Sequence, residues 1–204
     1  MQTKQPDEIL PPQEKGAESN TEESKSFNTM QEAHSFFERL KKRLCDISEW
    51  QHYAGALTAS FKLCDENGDE VNRAPQEGDH FKIDIPGPGP VTGDGFDWVQ
   101  IQKVEEENTE QEESLSIIVH PATNPNNNRQ DIAHFFSEEA TSCFMAKRVG
   151  TTVTMGVYGR NETPNVDAEK VIDKARNTAV AGGAIATFSK IQWRSLVTGL
   201  MKIE

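Results

Sequence analysis

The sequence predicts an α+β fold: an antiparallel sheet of five to seven strands, with one helix before it and a long helix after it. Three observations carry this. A strongly amphipathic stretch opens near Phe27, several runs of alternating apolar residues follow at short spacings, and a last helical pattern closes the chain. Strands joined by short turns, with helices kept to the ends, favour this class over alternating βαβ units.

Residues 1–26 hold mostly Gln, Glu, Ser, Thr, Lys and Pro, with Ile9 and Leu10 as an apolar pair. So little apolar surface cannot offset the entropy of ordering, so 1–26 is expected to be a disordered acidic leader and 27–204 a single α+β domain. Thr29-Met-Gln-Glu32 has the spacing of a capping box. Behind it Met30, Ala33, Phe37, Leu40, Leu44 and Ile47 recur at steps of three and four, a helix running to about Trp50. Lys41, Lys42 and Arg43 fall in its C-terminal half, where positive charge complements the helix dipole, and read as a solvated face.

Leu57, Ala59, Phe61 and Leu63 mark the first strand, which ends in the turn Asp65-Glu-Asn67-Gly68-Asp69. These acids lack the glycine at six and glutamate at twelve of an EF-hand. A return strand is expected at Glu70–Arg73. Phe81, Ile83 and Ile85 lead into Pro86-Gly-Pro-Gly-Pro90, a stiff crossing expected to set the sheet's edge. Gly93 and Gly95 permit positive φ around Asp94. The strand Trp98–Val104 is followed by EEENTEQEE, expected as a solvated loop. Ser114–His120, Ala140–Arg148 and Thr151–Arg160 complete the strands, the last two joined at Val149-Gly150. Between them Ile132–Phe136 reads as a helical turn or a plug dipping into the core. Asp167 opens a helical pattern reaching Leu200, with Gly182-Gly183 as a close contact or kink.

This element order resembles the helix-grip arrangement of the START and polyketide-cyclase-like superfamily, in which a curved antiparallel sheet wraps a long final helix. The resemblance covers most of residues 27–202 and implies an apolar cavity between sheet and final helix. That arrangement also has a strand ahead of the opening helix, where this sequence shows no apolar alternation. A partly closed β-barrel with flanking helices is the alternative fold.

A formal net charge of −12 repels phosphates and argues against nucleic acid and anionic membranes as partners. No apolar run reaches the roughly 20 residues that span a bilayer, and MQTKQPDEIL lacks the pattern of a secretory signal. Cys45, Cys64 and Cys143 are odd in number and form no CxxC pair, so free thiols and a cytoplasmic setting are expected.

No catalytic motif is present, and no catalytic residue or cofactor is assigned. No metal site is assigned either; the nearest candidates are His120, Asp131 and His134, which lack an HxH or HExxH spacing. Asp79, Asp84, Asp94 and Asp97 could pair as acid and base, or shape turns through backbone amides. Two functional classes follow. The first is a non-catalytic binding or assembly module acting through protein contacts or self-association, with Trp193 and Phe188 as anchors. The second is a carrier or enzyme for a small apolar ligand, its cavity lined by Phe81, Ile83, Trp98, Phe144, Met155, Tyr158 and Arg160.

Overall fold

The computed structural model describes residues 3–55, 58–85, 90–165 and 185–203, with the side chains of 185–190 left aside. Helix α1 (Pro6–Ile9) and strand β1 (Ala17–Ser26) precede α2 (Met30–Cys45), a 3₁₀ turn (Ile47–Glu49) and α3 (Trp50–Ala54). Six strands follow: β2 (Ser60–Cys64), β3 (His80–Asp84), β4 (Asp97–Asn108), β5 (Glu112–Pro121), β6 (Thr141–Val149) and β7 (Thr152–Glu162). The last described helix is α4 (Ile185–Leu200).

The Thr29 hydroxyl caps α2 by accepting the Glu32 amide, and Ala33, Phe36, Phe37, Leu40 and Leu44 are buried along it. The helix stops at Cys45 and does not continue to Trp50. The chain folds back there, because the Trp50 indole donates to the Leu44 carbonyl. Its ring is thereby buried against Phe61, Phe81 and Phe144.

All seven strands pair antiparallel in the order β1-β7-β6-β5-β4-β3-β2. Edges β1 and β2 do not pair with each other, so the sheet is open and the barrel alternative is set aside. A register shift at Ile101/Lys103 bends β4 against β5. Two expectations are corrected in this sheet. The glutamate-rich stretch is mostly strand, turning at residues 109–111, because Lys4, Lys41 and Lys103 pair its carboxylates beyond the core. The return strand at Glu70–Arg73 shrinks to one bridge, Cys64 to Glu70.

The larger correction concerns the leader. Residues 17–26 form an edge strand in register with β7, from Ala17 opposite Glu162 to Ser26 opposite Thr152. Backbone bonding holds it, together with hydroxyl pairs Ser24–Thr154 and Ser26–Thr152, so it needs no apolar alternation. Ahead of it, residues 3–15 cross the outer face of the sheet as a strap. Lys147 donates to the carbonyls of Thr3 and Lys4, Arg160 pairs with Asp7, and Asn161 accepts the Glu14 amide. Leu10 packs there with Ile118, Cys143, Met145 and Tyr158.

On the inner face lies the main core, where α2, α3 and α4 pack on Phe61, Phe81, Ile101, Ile117, Phe144 and Val157. Arg43 is buried and no solvated face: it donates to the carbonyls of Leu200 and Lys202, capping the end of α4. At Gly199 a Cβ would stand 2.0 Å from the Tyr53 carbonyl oxygen, so glycine is what lets α4 touch α3. The Pro86–Gly89 crossing and Gly182-Gly183 lie outside the described residues.

Leu10→Ala should cost about 2 kcal/mol in urea unfolding, as expected for a docked strap and not for a solvated tail. Gly199→Ala should cost about 2 kcal/mol or more by the same measurement, because backbone cannot yield as a side-chain tip does.

Candidate functional site

Between the inner face of the sheet and α4 lies an apolar cavity of about 40 Å³. It is therefore a narrow slot. Strand alternation aims Phe61, Phe81, Ile83, Val99, Val119 and Phe144 at it. From α4 come Gln192 and Trp193, and from the connection after β5 come His134, Phe135 and Phe136. Trp193 meets the Phe144 ring edge-on at 5.3 Å and lies 6.2 Å from Phe61.

The connection carrying His134 is irregular, as the plug reading expected. Asp97 accepts the Phe135 amide, and Asn165 donates to the carbonyls of Ile132 and His134. His134 stacks on Phe135 at 4.2 Å, and its Nδ1 accepts the Phe136 amide, leaving Nε2 as the protonated nitrogen of a neutral ring.

Of the sequence-predicted lining, Phe81, Ile83 and Phe144 face the slot. The other four do not. Met155 lies in the main core beside it. Trp98 points to the opposite face, with Cys64 and Ala133, and donates its indole N–H to the Gly93 carbonyl. Tyr158 also lies on that face and donates to Glu22; burial first, then this bond, pushes its phenol upward. Arg160 pins the strap through Asp7 and also donates to Asn20 of β1. Trp193 faces inward and is half-buried, and the side chain of Phe188 lies outside those described. Phe61, Val119, Gln192 and the Phe135–Phe136 pair were missed; alternation places Phe61 and Val119 on the inner face, but nothing in sequence marks Gln192.

Two of the aspartates hold backbone amides, Asp79 that of Gln76 and Asp97 that of Phe135. Asp79 takes a two-pronged pair from Arg73, and Asp94, at φ 53°, accepts from Asn124 and Asn127. Asp84 is exposed. Among the described residues, His120, Asp131 and His134 form no ligand cluster; the one group whose ligand atoms lie within 4.8 Å of each other is His34, Glu38 and Glu113. Its carboxylates already have cations. Arg148 pairs with buried Glu113, His34 Nδ1 sits 3.0 Å from both of that residue's oxygens, and Lys41 pairs with Glu38. Burial raises the Glu113 carboxyl, but the bonds to His34 and Arg148 together outweigh it and hold it below its ordinary value.

No family model matches the sequence, and no curated protein matches it. Among solved structures, a hypothetical protein of Helicobacter pylori is similar over 95% of this chain and 93% of its own, at 14% identity and a TM-score of 0.50. A protein of Arthrobacter aurescens is similar over 89% of this chain and 85% of its own, at 9% identity and a TM-score of 0.41. The major latex-like protein of Panax ginseng is similar over 84% of this chain and 97% of its own, at 10% identity and a TM-score of 0.35. At that identity the likeness to the Helicobacter pylori protein is one of fold alone.

A carboxylate held low stabilises the folded state above its unfolded value, and that contribution fades as pH falls through the folded one. The stability gap between wild type and Glu113→Gln, read by urea unfolding, should therefore be widest near neutrality and narrow below about 4.5. An unchanged gap at pH 3 would refute the ion-pair account.

Proposed function

We propose that the protein binds a small apolar molecule in the slot between the inner face of the sheet and α4, acting as a carrier. The supporting observation is the slot itself, walled by the rings of Phe61, Phe81, Phe135, Phe136, Phe144 and Trp193. Ligand sites have this character, concave and mostly apolar with few polar groups. The protein-contact reading has less behind it, because Trp193, one of its two anchors, packs half-buried against the core. Cys45, Cys64 and Cys143 are free thiols, which supports a reducing, cytoplasmic setting for such a carrier. No described helix is long and apolar enough to cross a membrane.

Titration with 2-naphthol, followed by its fluorescence, should saturate at one molecule per chain. Val119→Phe, which places a ring in the slot, should weaken binding by about tenfold or more with the fold retained by circular dichroism. Absence of saturable binding to the wild type would remove the proposal.

A further inference from the structure

Gln192 holds an unusual place in the slot wall. It sits on α4, only 4% exposed, and its Oε1 accepts the Ala59 amide at 2.8 Å. Ala59 lies just ahead of β2, and its N–H can be met only by an oxygen. The carboxamide therefore cannot turn over without setting donor against donor. This fixes Nε2 as the remaining pole of the amide, and Nε2 is buried with no acceptor among the described residues. A buried donor without a partner costs more than an ordinary hydrogen bond gains. An acceptor delivered by a ligand would recover that cost.

The rest of the wall limits what the ligand can be. Phe61, Phe144 and Trp193 already pack on one another, Trp193 edge-on to Phe144, and this aromatic wall suits a ligand ring laid against it. Among the described residues no lysine or arginine lines the slot, whereas Glu162 does. A carboxylate there would lose its hydration and gain no cation, so the acceptor has to be neutral.

We propose that the slot selects an uncharged, ring-bearing ligand with a carbonyl-type acceptor, to which Gln192 Nε2 donates. This rests on the carrier reading above and narrows its ligand class.

Three probes of one shape test it: 1-indanone, indane and indane-1-carboxylate, with dissociation constants measured by NMR titration. The wild type should bind 1-indanone about tenfold more tightly than indane, and the carboxylate most weakly. Gln192→Met, close in size and without the donor, should bind 1-indanone and indane alike. A merely structural role for Gln192 would move both affinities together and leave their ratio unchanged. In the wild type, the Gln192 side-chain amide protons should shift with 1-indanone and not with indane, a readout that needs no variant. Equal binding of the two neutral probes by the wild type, a ratio that survives Gln192→Met, or tightest binding of the carboxylate would overturn this proposal while leaving the carrier reading standing. Failure of all three probes to bind would overturn both.

Discussion

The inner side of the molecule depends on how closely α4 can approach α3. Only a glycine at 199 allows the two backbones to meet at the Tyr53 carbonyl. With that contact made, Leu196, Val197 and Leu200 enter the core, and the end of α4 comes within reach of Arg43. Gln192 lies seven residues earlier, two helical turns back on the same face, which brings it to the start of β2. The depth of the slot is thus set by a backbone contact at one end of the helix and a side-chain bond at the other.

The outer face poses a different problem. Ile118, Cys143, Met145 and Tyr158 point away from the helices because their neighbours point toward them, and strand alternation allows no third choice. The strap covers them using two apolar residues, Leu10 and the partly buried Ile9, and many polar contacts, including Lys147 to two carbonyls and Arg160 to Asp7. A segment can therefore dock while looking, by composition, like a solvated tail. Its order depends on partners more than a hundred residues away in the chain.

That separation explains what could be read from the sequence and what could not. Periodicity located α2, the β6–β7 hairpin and the inner-face residues Phe81, Ile83 and Phe144, because burial on one face writes itself into local pattern. It failed at β1, whose ten residues AESNTEESKS gain their stability from the β7 backbone. It failed again at the glutamate-rich hairpin, where the deciding cations come from α2 and the strap. Trp98, Tyr158 and Arg160 were assigned to the cavity on residue type; which face each takes depends on register, and in a sheet buried on both sides apolar character no longer distinguishes the faces.

The same two-sided burial bears on why the slot stays open. Apolar packing has no direction and would draw the walls together until they touched. Both walls, however, are tied to the sheet by buried polar bonds that fix a distance. On one side the Phe135 amide is held by Asp97, while Asn165 clamps the carbonyls of Ile132 and His134. On the other, Gln192 is held at 2.8 Å from the Ala59 amide. Releasing either wall to close the gap would leave a buried backbone N–H unbonded, and dispersion across so narrow a space is too weak to offset that cost. The hydrogen bonds flanking the slot act as spacers that keep its two walls apart.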